Sequence, residues 1–195
     1  MAESTDTSTR APGAPSDVLM ALYMGDRDKA RALAAGQTLT LPELAAFGDL
    51  LQVSEHVVQH PVELHDYSGD GWTALHLAGF MGYAGVVVRL LRAGADTAAR
   101  SRNQQGNFAL HASIAGRCEM PVIAALLATG ADPAAVDAQS YAPIHLAASR
   151  GDRAVCELLL ACGAVHHVVT VDGKSPGDIA LERGHVDLAE WLSRA

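Results

Sequence analysis

The chain has 195 residues, of which 49% are hydrophobic and 18% are charged. A chain of this length and composition can bury a sizeable core as a single globular domain, which excludes an intrinsically disordered protein. The formal net charge of -8 disfavours nucleic acid and anionic membrane surfaces as partners, because both repel an acidic protein. The clearest basic cluster, Arg100 and Arg102, is too small to offset this charge, and we interpret both side chains as solvated.

The N-terminal segment is rich in Ser, Thr, Ala, Gly and Pro, and it contains no apolar stretch of the kind that a secretory signal requires. We predict a disordered tail over 1–15. Cys118, Cys156 and Cys162 are too few and too irregularly spaced for a disulfide framework, which indicates a reducing compartment. No apolar run reaches the length of a membrane-spanning helix, so the expected location is the cytoplasm.

Two short helices are predicted next, over 17–24 and 27–35, with Ser16 as the N-cap of the first. Gly25 separates them, and the spacing leaves no room for a long loop. We interpret 16–39 as a pair of capping helices at the N-terminal end of the domain.

Thr40 and Glu43 then form the pattern of a capping box in front of an apolar segment. The following segments predict two helices, over 41–47 and 50–59.

The rest of the chain repeats itself. Four glycines recur at steps of 34, 35 and 33 residues, each between a short apolar segment and a Leu-rich one: Gly82, Gly116, Gly151 and Gly184. Self-similarity near 33 residues indicates stacked supersecondary units, so the chain is predicted to be a repeat solenoid. At these four glycines, two antiparallel helices are expected to turn sharply.

The segments around the glycines carry a recognisable order. Residues 73–78 read T-A-L-H-L-A and are followed by Gly82, a Leu-rich helix and G-A-D at 94–96. Residues 108–111 and 142–145 begin the same order again. This order resembles the ankyrin repeat over roughly residues 40–195.

The resemblance implies an all-α fold, an α-solenoid of stacked ankyrin-type helix-turn-helix repeats with protruding hairpin loops. In each unit the second helix would be followed by a hairpin loop, which we call a finger, and fingers and first helices would together form the concave face. Residues 40–70 would be a degenerate repeat with its finger over 62–70. The predicted units are repeats at 71–105, 106–139 and 140–172 and a C-terminal capping repeat at 173–195.

Local chemistry supports these units. Thr73 and Ser175 are expected to be N-caps, and Pro143 and Pro176 suit the first turn of their helices. The side chains predicted to lie in the core are Leu75, Leu110 and Ile144, and the glycines predicted to end second helices are Gly94, Gly130 and Gly163.

Three departures from the pattern stand out. Phe108 replaces the usual Thr, and the unit that follows is expected to be distorted around Cys118 and Pro121, in a loop that could expose the thiol. Gly177 stands where the pattern has Leu, so the last unit's first helix should pack weakly.

The histidines invite a metal-site interpretation. His76, His111 and His145 recur one stacking layer apart and are interpreted as local hydrogen-bonding groups near the finger backbone. His166 and His167 lie near Cys162 and Asp172, but adjacent residues on an extended finger point to opposite faces, which argues against a shared ligand set. The remaining candidates, interpreted as surface or finger residues, are His56, His60 and His65.

No nucleophile elbow, phosphate-binding loop or dinucleotide fingerprint is present. We therefore predict no catalytic, metal-binding or cofactor-binding residues and a chain that is not an enzyme.

The resemblance instead places candidate partner-binding residues at finger ends and at the ends of first helices. Trp72 and Tyr141 are the expected anchors, because large exposed aromatic side chains are common interface hot spots. The alternative that Trp72 only packs on the neighbouring finger stays open. The full predicted set is Tyr67, Asp70, Trp72, Phe80, Met81, Gln104, Gln105, Asn107, Gln139, Tyr141, Ser149, Arg150, Asp172, Lys174, Glu182 and Arg183.

The leading hypothesis is a monomeric, non-enzymatic interaction scaffold that binds a cytoplasmic protein through its concave face, without nucleic acid or membrane. One alternative is a regulator or accessory subunit of one enzyme, including a redox or stress enzyme, with Cys118 as an oxidation sensor. The other is a metal-dependent hydrolase that uses finger histidines.

Overall fold

The computed structural model of the chain describes residues 13–116 and 118–194. All but the last three residues of the predicted tail, 1–15, therefore lie outside the described residues. The described part contains twelve α-helices, one short 3₁₀ helix and no strand. The α-helices are α1 (Asp17–Tyr23), α2 (Arg27–Ala34), α3 (Leu41–Phe47), α4 (Leu50–Gln59), α5 (Ala74–Phe80), α6 (Ala84–Arg92), α7 (Ala109–Ala115), α8 (Met120–Ala128), α9 (Pro143–Ser149), α10 (Arg153–Ala161), α11 (Pro176–Glu182) and α12 (Val186–Leu192).

The predicted helix caps are confirmed. Ser16 accepts a hydrogen bond from the Leu19 amide at 3.1 Å, and Thr40 and Glu43 form the reciprocal bonds of a capping box. Thr73 and Ser175 cap α5 and α11 in the same way. Each cap satisfies an amide that the first helical turn leaves unpaired, so these short helices begin at defined residues.

The helices form two layers. The first helices of successive units, α3, α5, α7, α9 and α11, pack side by side, and the second helices, α4, α6, α8, α10 and α12, lie behind them. Leu75, Leu110 and Ile144 are at most 2% exposed between these layers, as predicted. The pair α1 and α2 covers the N-terminal end of the stack, where Leu19 packs with Leu77 in a smaller apolar cluster.

The fingers are narrow hairpins that hydrogen-bond to one another. Within each finger, one amide donates to the carbonyl of a residue four to six positions later, as from Ser68 to Trp72 at 2.8 Å. Between fingers, the amides of Arg102, Ala138 and Val171 donate to the carbonyls of Gly71, Gln105 and Gln139 at 2.8, 2.9 and 3.2 Å. Four fingers are thus joined into one row beside the layer of first helices.

The first finger differs from the prediction. Pro61–His65 forms a 3₁₀ helix, so the hairpin begins only at Asp66 and not at Val62. Pro61 occupies the first helical position, where its fixed φ favours a helical turn over an extended segment.

Gly116 lies one position earlier in its unit than the other three glycines, because it is the C-cap of α7, as Met81 and Arg150 are the C-caps of α5 and α9. Gly82, Gly151 and Gly184 adopt left-handed φ values of 79°, 69° and 83°, whereas Gly116 has a φ of -73° that any residue can adopt. A Cβ built on Gly116 would overlap the carbonyl oxygen of Phe80 and lie 2.6 Å from that of Gly79. A close backbone approach, and not a sharp turn, therefore requires glycine here.

Gly177 leaves room for a Cβ in the last unit, and the weak packing of α11 stays a prediction. A Cβ on this residue would lie 3.6 Å from the Ala189 carbonyl oxygen and 3.8 Å from the Leu192 Cβ, which is ordinary contact. An adjoining hollow of about 570 Å³ opens between α11, α12 and the last finger. Within 13–116 and 118–194, no helix has both the length and the apolar character needed to cross a bilayer.

Candidate functional site

The repeat histidines join each first helix to the next finger. The Nε2 atoms of His76, His111 and His145 lie 3.1, 2.9 and 3.1 Å from the carbonyl oxygens of Asn107, Tyr141 and Val168. All three side chains are buried, and burial lowers the pKa of each below its ordinary value. The interpretation of these histidines as hydrogen-bonding groups near the finger backbone is confirmed.

The replacement of Thr by Phe108 changes the hydrogen bonding of the histidine in that unit. His76 Nδ1 lies 2.8 Å from the Thr73 hydroxyl, whereas the buried Nδ1 of His111 has no hydrogen-bond partner. The ring of Phe108 instead contacts the His111 ring, with centroids 5.7 Å apart. The third unit thus exchanges a polar cap for an aromatic contact.

The expected orientation of His166 and His167 is wrong. They lie in a turn and not on an extended segment, and their rings contact each other edge to face with centroids 5.1 Å apart. Among the residues that the structure describes, no three His, Cys, Asp or Glu side chains are grouped to hold a metal ion. His60 follows the end of α4, its ring centroid lies 4.9 Å from that of His56, and His56 pairs with Glu63 at 2.8 Å.

The expectation that Cys118 is exposed is also wrong. Its side chain is 7% exposed, and its Sγ donates a hydrogen bond to the Gly79 carbonyl at 3.2 Å. Burial raises the pKa of the Cys118 thiol, and burial together with Asp152 and Glu157 raises the pKa of Cys156 to about 12. A thiolate is the reactive form, so both groups are protected.

Thiol titration of the native protein should therefore detect one cysteine. Cys162 is the exposed thiol and should react first, while Cys118 and Cys156 should react only after denaturation. The measurement is the number of thiols labelled by an aromatic disulfide before and after unfolding in urea. In the control variant Cys162→Ser, native labelling should disappear; rapid labelling of that variant would contradict the burial of Cys118.

The predicted partner-binding residues lie at finger ends and first-helix ends, but they are not equally available. The exposed members are Phe80, Gln104, Gln105, Gln139, Asp172, Glu182 and Arg183, and the half-buried ones are Tyr67, Asp70, Trp72, Met81, Asn107, Tyr141, Ser149, Arg150 and Lys174.

Several of the half-buried members are engaged within the fold. The guanidinium of Arg102 lies 3.8 Å from the centre of the Tyr67 ring, and Arg100 donates to the Gly106 carbonyl at 2.6 Å. These two arginines are exposed but held in place, which corrects their interpretation as merely solvated. Arg150 donates to the Ile114 carbonyl at the end of α7.

In the last unit, Lys174 pairs with Glu182 at 2.8 Å. The hydrogen bond to Glu182 raises the pKa of Lys174. These two predicted partner-binding residues therefore form an ion pair with each other within the fold.

A hollow of about 710 Å³ lies near the N-terminal end of the stack, between α1, the end of α5 and the first two fingers. Its walls bring together Tyr23, Asp70, Trp72 and Phe80, which we call the aromatic-acidic cluster. Phe80 is 39% exposed, and its ring lies at steep angles to Tyr23 and Trp72, with centroids 6.4 and 5.4 Å away. The ring of Trp72 also contacts that of His76 in its own unit.

Sequence reasoning missed Tyr23 because the residue lies in the capping helix α1. Its hydroxyl donates to the Asp70 carboxylate at 2.8 Å across 47 residues of sequence. Burial, together with the hydrogen bond to and the charge of Asp70, raises the pKa of Tyr23 above its ordinary value. The only local signal was an aromatic side chain at the end of a short helix, in a chain where 5% of residues are aromatic.

A third hollow, of about 690 Å³, lies between α2 and α4. Arg27 there donates to the Phe47 carbonyl and to the Tyr83 hydroxyl, which links α2 to the first repeats. We interpret this hollow as part of the attachment of the capping helices.

Comparison with known proteins agrees with this architecture. A family model described as ankyrin repeats in three copies matches residues 115–195, and a single ankyrin-repeat model matches residues 70–102. Ankyrin repeat and SOCS box protein 16 of Mus musculus is 37% identical over 117 residues, which are 56% of this chain and 25% of that protein. The RelA-associated inhibitor of Mus musculus is 34% identical over 97 residues, 47% of this chain and 11% of that protein.

A third relative is matched over almost all of its length. Cyclin-dependent kinase 4 inhibitor B of Mus musculus is 33% identical over 128 residues, which are 65% of this chain and 95% of that protein. The chain spans a quarter or less of the length of the first two relatives. With its paired helices, its row of fingers and these matches, the chain belongs to the ankyrin-repeat family.

Proposed function

We propose that this chain is a non-enzymatic module that binds another protein through its concave face. The observation that carries the proposal is the hydrogen-bonded row of fingers, which presents aromatic and polar side chains along one side of the stack. A preformed surface loses little conformational entropy when a partner docks. Trp72 and Tyr141 supply apolar anchors in it, and Gln104 and Gln139 offer exposed amides around them.

We also propose a cytoplasmic protein as the partner and a monomeric state for the chain itself. The net charge of -8 makes association between copies unfavourable and disfavours nucleic acid and anionic membranes. The cysteines support a reducing compartment, because the two buried thiols, Cys118 and Cys156, are both free.

A second candidate is a dedicated inhibitor or accessory subunit of one enzyme. The observation in its favour is that two relatives bear the name of inhibitor, one of them matched over 95% of its length. The burial of Cys118 and its hydrogen bond to the Gly79 carbonyl argue against the hypothesis that Cys118 is an oxidation sensor. The metal-dependent hydrolase hypothesis lacks support, because no three His, Cys, Asp or Glu side chains of the described residues are grouped to hold a metal ion.

The proposal is tested by capture of partners from native cells with the wild-type chain and the double variant Trp72→Ala, Tyr141→Ala. Both substitutions remove rings from the concave side, and loss of two hot spots should weaken the complex by at least tenfold, on the order of 2 kcal/mol. The measurement is quantitative mass spectrometry of the captured proteins, followed by titration of the leading partner.

The matched control is Leu51→Ala, Val58→Ala, which removes two side chains that are 69% and 72% exposed on α4 in the outer layer. This variant should retain the partners. If the double variant on the concave side keeps the same partners at unchanged affinity, the assigned face is wrong. An activity assay of a captured enzyme would distinguish the inhibitor from a passive scaffold.

A further inference from the structure

The aromatic-acidic cluster combines three rings and one carboxylate in a single hollow. Phe80 lies between Tyr23 and Trp72, with interplanar angles of 85° and 71°. Rings at such angles are held by edge-to-face contacts, so the corner that they form is fixed before any partner arrives. The rings carry negative charge on their faces, which attracts cations and not anions.

The carboxylate of Asp70 is also held in position. Tyr23 donates to one of its oxygens at 2.8 Å, and the Ser68 hydroxyl donates to the other at 2.6 Å. A carboxylate has about four acceptor positions, so acceptor capacity remains on both oxygens. No lysine or arginine of the described residues forms an ion pair with Asp70.

The nearest arginine in the walls of the hollow is already used. The Arg102 guanidinium stacks on Tyr67, and the Arg102 amide is bonded to the Gly71 carbonyl. The hollow therefore has a fixed negative group and aromatic walls, in a chain whose net charge is -8. Charge complementarity favours a basic ligand over an acidic or a purely apolar one.

We propose that the aromatic-acidic cluster receives a basic side chain, arginine or lysine, from an extended segment of the protein partner. The cation lies against the rings of Trp72, Phe80 and Tyr23 and donates hydrogen bonds to Asp70. This inference rests on the proposed function, since it names the chemistry of a partner docked on the concave face. It assigns Asp70 the role of setting specificity and assigns Tyr23 the role of positioning that carboxylate.

The experiment uses the full chain labelled with ¹⁵N and the indole signals of its two tryptophans. N-acetyl-arginine amide is titrated against the protein, and N-acetyl-citrulline amide, which has nearly the same shape without the charge, is the matched probe. The Trp72 signal should shift saturably with arginine, with a dissociation constant on the order of 10 mM, and should not shift with citrulline. The Trp191 signal, in α12 beneath Arg153 at 4.8 Å, should stay fixed.

The variant Asp70→Asn should weaken arginine binding by about tenfold, because a charge-assisted hydrogen bond is lost. The matched variant Asp187→Asn removes an exposed carboxylate from α12, outside the predicted partner-binding set, and should change nothing. Phe80→Leu, which keeps the carboxylate, should weaken binding several-fold. The comparison of arginine with citrulline on the wild type does not depend on how any variant folds.

Equal shifts with arginine and citrulline, or no saturable shift of Trp72, would overturn the inference. So would unchanged binding in Asp70→Asn, or a Trp72 signal that moves with protein concentration alone, which would make a second copy the occupant. Failure of this titration leaves the proposed function intact, provided that the Trp72→Ala, Tyr141→Ala variant still loses its captured partners.

Discussion

Gly116→Ala should cost about 3 kcal/mol of the free energy of unfolding, although alanine is ordinarily the better helix former. The added Cβ would overlap the Phe80 carbonyl oxygen and lie 2.5 Å from its carbon. Both neighbouring groups are backbone at the end of α5, so no side chain can rotate to relieve the overlap. Relief requires α5 and α7 to separate, which opens the core between Leu75 and Leu110. Urea unfolding followed by circular dichroism measures the loss.

The matched control is Gly85→Ala, in α6. Gly85 also lacks a left-handed φ, and its Cβ would meet only the Leu50 Cδ2 at 3.5 Å, which is ordinary contact. This variant should be neutral or more stable by about 0.5 kcal/mol, because alanine restricts the unfolded chain. Similar midpoints for the two variants would show that the close approach of α5 and α7 is not a constraint.

The helix caps and the repeat glycines show which parts of the fold can be predicted from the sequence alone. The bounds of α3 and α4 agree with the prediction, because capping residues and apolar spacing act within one or two turns. The alignment of Gly116 with Gly82 is wrong by one position, because Gly116 is the C-cap of α7 just as Met81 is the C-cap of α5. The predicted sharp turn is also the wrong explanation for this glycine. Its reason lies in the backbone of the preceding unit, which no local pattern records.

Some residues of the candidate site could be predicted from the sequence, and others could not. The resemblance predicts that Trp72 and Phe80 lie on one face, from their positions in the repeat. In the structure their ring centroids are 5.4 Å apart. The contact of Tyr23 with Asp70 depends on how the capping pair docks, and the burial of Cys118 depends on the Gly79 carbonyl. Contacts between elements far apart in sequence are set by packing, so a single sequence does not reveal them.

The buried histidines make stability depend on pH, and His76 should dominate this dependence. Its side chain is 0% exposed, and its pKa is lowered to about 4, first by burial and also by the nearby His111, against the hydrogen bond to Asn107. The neutral ring is thus favoured in the folded state, and below its ordinary pKa of about 6.5 the unfolded chain binds more protons. Stability from this group is complete above about pH 6.5 and falls as the pH is lowered toward 4, by about 3 kcal/mol in all.

The variant His76→Gln isolates this contribution from the carboxylates that titrate in the same range. At pH 7.5 the variant should be less stable than the wild type, because glutamine does not reproduce both ring contacts, to Thr73 and to Asn107. The difference should shrink between pH 6.5 and 4.5, since only the wild type loses stability through this ring. His65→Gln removes an exposed imidazole outside the buried series and is the matched control. Urea unfolding at several pH values gives the comparison, and a constant difference between His76→Gln and wild type would rule out a lowered pKa at His76.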